Sequence, residues 1–68
     1  MTFREWLRDK DEADFVDYTY SDGSDYDVYD YISVKEAKEL EDEILNAEVV
    51  RGEKIDVEDT YLVDLKAQ

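Results

Sequence analysis

The chain has 68 residues, with 21 acidic and 8 basic side chains for a formal net charge of −13, and it contains no cysteine, histidine or proline. That length holds one domain and buries only about 60% of the unfolded surface. The missing cysteine and histidine exclude a disulfide framework, zinc and haem sites of the usual kinds, and Cys–His or Ser–His catalytic pairs. A chain this acidic repels nucleic acid and anionic membranes, and it favours basic proteins or cations. Nine aromatic residues and a hydrophobic fraction of 43% argue for a folded domain over a disordered acidic tail.

The first expected element is a short helix over Phe3–Asp9. Thr2 and Glu5 form a capping box, and Phe3, Trp6 and Leu7 share one face at i, i+3, i+4 spacing. Met1–Lys10 carries no apolar core of a signal peptide, and no apolar run approaches a membrane span. A cytoplasmic location in a bacterial host is therefore expected.

Residues Phe15–Tyr20 alternate, with Val16, Tyr18 and Tyr20 on one side and Asp17 and Thr19 on the other. Ser21-Asp22-Gly23-Ser24 is turn chemistry. Asp25–Ile32 alternates again, setting Tyr26, Val28, Asp30 and Ile32 against Asp25, Asp27, Tyr29 and Tyr31. The reading is a β-hairpin with tyrosines on both faces.

Ser33 and Glu36 repeat the capping pattern and open a helix expected from Val34 to about Ala47, with Val34, Ala37, Leu40, Ile44 and Leu45 as its apolar stripe. Arg51-Gly52 is read as a break. Lys54–Val57 reads as a short strand or extended loop, and Tyr61–Leu65 as a last strand pairing with the hairpin. The expected fold class is α+β: one small domain of order α-β-β-α-(β)-β, an antiparallel sheet packed by two helices.

From Asp11 to Val34 there are eight acids and no base, whereas ordinary surfaces mix signs. Asp25 and Asp27 on one strand face would form a row spaced by about 6.7 Å, commensurate with a phosphate backbone. Tyr residues interleave this stretch, and tyrosine is enriched at interfaces. The candidate partner-binding residues are therefore Asp14, Asp17, Asp22, Asp25, Asp27 and Asp30, with Tyr20, Tyr26 and Tyr29 as anchors. An EF-hand fails, because Gly23 at loop position 6 would put Tyr18, Tyr20 and Tyr29 where carboxylate ligands are needed. A looser cation site at Asp22, Asp25 and Asp27 stays open. No nucleophile, metal motif or phosphate loop accompanies the carboxylates, so neither an enzyme nor a cofactor is expected.

Phe3-Arg4-Glu5-Trp6-Leu7 resembles the start of small YozE-like helical proteins of Gram-positive bacteria and their phages. The likeness spans about a dozen residues and ends at the Tyr/Asp hairpin, so no function is carried over. In size, charge and mixed α/β order the chain resembles small acidic phage-encoded inhibitors, including anti-CRISPR proteins that mimic DNA. That resemblance implies a partner with a basic DNA-binding surface: Cas9, a restriction enzyme, uracil-DNA glycosylase or RNA polymerase. Asp and Glu would stand in for phosphates and pair with arginines. The alternative is an adaptor that docks a basic or apolar partner through a Tyr-rich sheet.

Overall fold

Local capping decides where the chain first turns helical. In the computed structural model, which describes residues 1–25, 27–55 and 59–68, the Thr2 hydroxyl accepts the Glu5 N–H at 3.2 Å while the Glu5 carboxylate accepts the Thr2 N–H at 3.0 Å. This closes the expected capping box on helix α1 (Phe3–Leu7). The element order is then β1 (Phe15–Ser21), β2 (Asp27–Ser33), α2 (Val34–Ala37), α3 (Asp42–Leu45), β3 (Glu48–Ile55) and β4 (Thr60–Lys66). The α+β class and the single small domain are as expected. The Cα radius of gyration is 10.9 Å, about what a folded chain of this length should have, despite the self-repulsion of −13 charges.

The four strands lie in the order β2-β1-β4-β3. Two antiparallel hairpins, β1–β2 and β3–β4, meet along a parallel β1–β4 seam. The sheet is thus mixed, not purely antiparallel, and the optional strand of the expected order is present as β3. The parallel seam follows from the crossover: α2 and α3 carry the chain from one sheet edge to the other, so β4 returns beside β1 in the same direction.

Alternation on the two central strands builds the core. Val16, Tyr18 and Tyr20 of β1 and Val63 and Leu65 of β4 face the helices, where Phe3, Trp6, Leu7, Val34, Ala37, Ile44, Leu45 and Ala47 cover them. Phe3 sits at the centre, 5.9 Å from the Tyr18 ring and 6.0 Å from Trp6. All three helices cover this one side, and among the described residues no helix packs on the opposite face, the open face of the sheet.

Two sequence expectations need correction. The helix foreseen from Val34 to Ala47 is two separate turns, with an extended Glu41 (φ −62°, ψ 153°) capping the second. The break at Glu41 lets Val34 and Ala37 on one turn and Ile44 and Leu45 on the other each reach the core, with Leu40 only partly buried between them. Arg51-Gly52 does not break the chain either; β3 runs through it, with a bulge between Val49 and Arg51. Gly52 is needed there because a Cβ would lie 2.7 Å from Trp6 Nε1, so the glycine makes room for the indole. Of Lys54–Val57, Lys54 and Ile55 belong to β3, and residues 56 and 57 lie outside the described residues. Among the described residues, no helix is long and apolar enough to cross a membrane.

Candidate partner-binding face

The β1–β2 hairpin keeps its register over seven pairs, from Phe15↔Ser33 to Ser21↔Asp27. Pairing and alternation fix which side chains share the open face. Across the sheet from β2 to β3 they form four rows: Asp27, Ser21, Lys66, Glu48; Tyr29, Thr19, Asp64, Arg51; Tyr31, Asp17, Leu62, Glu53; and Ser33, Phe15, Thr60, Ile55. Tyr29 is 75% exposed and Tyr31 56% exposed. The Tyr31 ring stacks on Phe15, with centroids 5.5 Å apart and planes 4° from parallel. Its hydroxyl lies 3.3 Å from Thr60 Oγ1, which covers a threonine that is only 4% exposed. The aromatic rings therefore lie along the surface as a platform.

The sequence-derived site residues divide between several places. Asp17, Asp27 and Tyr29 reach the open face. Asp14 precedes β1, where its carbonyl accepts the Val34 N–H at 2.8 Å. Asp22 and Asp25 lie in the connection between the strands, where Asp22 Oδ1 accepts the Ser24 N–H at 2.9 Å and Gly23 takes φ +88°. That hydrogen-bonded turn holds the Asp22 carboxyl below its ordinary value. Strand β2 starts at Asp27 and not at Asp25, so the expected row of Asp25 and Asp27 along one strand does not form. From strand dimensions, Asp17 lies about 8 Å from Asp64 and about 14 Å from Asp27. The open-face carboxylates are scattered in two dimensions.

Tyr20 is no surface anchor. It is 5% exposed on the helix side, and its hydroxyl donates to Glu43 at 3.1 Å. Tyr26 lies outside the described residues. Asp30 is also on the helix side, opposite Tyr18, and its carboxylate accepts the Tyr31 N–H at 2.8 Å. Burial raises the Tyr18 hydroxyl above the usual tyrosine range, and the charges of Asp30 and Glu41 add to it. Tyr20 is raised by burial, then by the hydrogen bond and charge of Glu43, then by Asp22 and Glu41. Four acids therefore act on the two buried phenols: Glu43 by a direct hydrogen bond, Asp30 from the strand position opposite Tyr18, and Asp22 and Glu41 through their charge. The sequence reading put Glu43 outside the apolar stripe of one long helix and gave Glu41 no role, so neither was a candidate. It missed Asp64 and Leu62 because they join the open face only once β4 lies beside β1, and it left out Phe15 and Tyr31 although both lie on the hairpin's open side.

The ion pairs fall elsewhere. Met1–Glu48, Arg4–Asp42, Lys10–Asp9, Lys38–Glu12, Arg51–Glu53 and Lys54–Asp59 are the pairs among the described residues. None includes an acid of the β1–β2 hairpin. No group of three or more carboxylates among the described residues converges closely enough to hold a metal ion. No family model matches the chain, and neither the curated proteins nor the solved structures contain a match.

Proposed function

We propose that the chain is an acidic inhibitor that occupies the DNA-binding surface of a nucleic-acid enzyme, Cas9 being one such target. The observation that carries this reading is the β1–β2 hairpin. It holds Asp17, Asp22, Asp25, Asp27 and Asp30 with no base, and it exposes Tyr29 and Tyr31 on an uncovered sheet face. Unpaired carboxylates attract a basic channel at long range and meet its arginines in charge-assisted pairs. Rigid tyrosines add contact area at low entropic cost. The mimicry is of charge density, since the carboxylates follow no single row.

A panel of Cas9 with its guide RNA, a restriction endonuclease, uracil-DNA glycosylase and bacterial RNA polymerase tests the reading by displacement from labelled DNA. The expected result is competitive displacement of at least one enzyme, weakening steeply as salt rises. If all four keep their DNA at low salt, the reading fails. The Phe15–Tyr31 platform favours one alternative, an adaptor that docks through its tyrosine-bearing sheet. Binding that survives high salt but is lost in Tyr29→Ala and Tyr31→Ala would select it.

A further inference from the structure

The two edges of the sheet differ in how they are closed. The outer edge of β3 is occupied at its start: Thr2 bridges to Glu48, and the Val49 N–H donates to the Met1 carbonyl at 2.9 Å. The bulge between Val49 and Arg51 then disrupts the ladder, and Arg51 and Lys54 add basic charge. Covering segments, bulges and lysines are the usual means of blocking a strand edge.

Among the described residues the outer edge of β2 has no covering segment, bulge or lysine, and its only guard is the charge of Asp27 and Asp30. Its register is regular over seven residues, and Asp27 to Tyr31 are all exposed. The direction of its free groups follows from the ladder. The Phe15 N–H donates to the Asp59 carbonyl on the β4 side, and the Val34 N–H donates to the Asp14 carbonyl across the hairpin. By antiparallel alternation the residues bonded to β1 are Val28, Asp30 and Ile32, so the backbones of Asp27, Tyr29 and Tyr31 point outward. The Asp30 carboxylate takes the Tyr31 N–H, and among the described residues no other element covers this edge.

We infer that the β2 edge is a strand-docking site, and that its occupant is an extended basic segment of the partner protein. The inference rests on the reading of the partner as basic, and it names the element by which that partner is held. Backbone pairing supplies affinity, while alternate side chains supply choice. Asp27 and Asp30 are three residues apart, so they lie on opposite faces of the sheet. An added strand therefore meets them with two basic residues three apart, and meets Val28, Tyr29 and Tyr31 with β-branched residues or arginine. Charge excludes a second copy of this chain as the occupant. Pairing β2 with itself would crowd Asp27 and Asp30 of both copies along one seam with no base, and like charges across strands oppose that.

The test uses the full chain, labelled for amide NMR, and a synthetic peptide of about eight residues, an ordinary strand length, with two arginines three apart and valine or threonine elsewhere. Two further peptides carry N-methyl groups on one or the other alternate set of amides. The expected result is that the parent peptide slows exchange of the Asp27 and Tyr29 amides by about tenfold or more. One N-methylated set binds and the other does not, because only one set of amides faces β2. Tyr29→Pro, which removes an outward N–H at an edge position where proline is tolerated, folds and loses the peptide. Equal binding by both N-methylated sets, absence of binding at low salt, or binding that leaves the Asp27 and Tyr29 exchange rates unchanged would each overturn the inference. If Tyr29→Pro does not fold, the N-methylated pair on the native chain still decides. Displacement of an enzyme from DNA without peptide docking would sink the edge site alone. Docking without any displacement would sink the inhibitor reading alone.

Discussion

The two hairpins of this sheet are both antiparallel, one regular and one bulged, and they are charged differently. In β3–β4, acids and bases alternate: Glu48 meets the N-terminus, Arg51 meets Glu53, and Lys54 lies 3.7 Å from Asp59. Beneath it, Lys10 lies 4.5 Å over the Trp6 ring, and Trp6 meets Tyr61 edge-on at 5.2 Å. The β1–β2 hairpin, with its connection, carries five aspartates and no base. Each exposed ion pair contributes only about 0–1 kcal/mol, so the contrast says little about which hairpin is the more stable. It says where charge has been left uncompensated, and an uncompensated surface is what an oppositely charged partner can use.

Charge reversal is the strongest way to break the contrast. Asp27→Lys with Asp30→Lys should leave the fold intact, since both side chains are exposed. It should weaken binding to any enzyme that the chain displaces from DNA by about 100-fold, because like charges across an interface cost several kcal/mol. Titration by fluorescence anisotropy would read this, and an unchanged affinity would remove β2 from the interface.

The compensated hairpin should fail through packing. Gly52→Ala puts a methyl group against the Trp6 indole, and overpacking of this kind costs about 1–3 kcal/mol. In a domain of this size each kcal/mol shifts Tm by roughly 4–8 °C, so a calorimetric scan should show the loss easily. Partner binding by the folded fraction should be unaffected.

Tyr20→Phe tests the contact between the other hairpin and α3. It removes the hydrogen bond to Glu43, at a cost of about 0.5–1.5 kcal/mol. It should also change the alkaline behaviour. Tyr18 and Tyr20 are raised above the ordinary 10.0 in the folded chain, so their contribution is complete below pH 10. It is lost as pH rises toward the folded values, because the unfolded chain ionises first. Denaturant melts between pH 9 and 11 should therefore fall with pH in the native chain, and less steeply in Tyr20→Phe. A parallel fall in both would show that this phenol is not responsible.

Salt gives the smallest effect and the most direct comparison of sign. Screening relieves the repulsion of a −13 chain, so Tm should rise by a few degrees at about 0.5 M salt. Binding through the β1–β2 hairpin should weaken over the same range. A rise in both would mean that apolar contact, through Phe15, Tyr29 and Tyr31, carries the interface.

By itself the sequence determined the parts governed by neighbours along the chain. The Thr2–Glu5 capping box, the alternation of Val16, Tyr18 and Tyr20 against Asp17 and Thr19, and the base-free run from Asp11 to Val34 all depend on spacing a few residues long. The same is true of the turn at Asp22-Gly23. Only the tertiary structure decided the rest. The Val34–Ala47 segment divides at Glu41 so that Val34 and Ala37 on one turn and Ile44 and Leu45 on the next are all buried in the core. Whether Arg51-Gly52 ended a strand depended on Trp6, 46 positions away in the chain, lying over the glycine. The parallel β1–β4 seam joined Phe15, Asp17 and Tyr31 to Leu62 and Asp64 on one face, and buried Tyr20 on the other. A period of two assigns residues to opposite sides of a strand, but which side meets the helices and which meets a partner is fixed by the packing of distant segments.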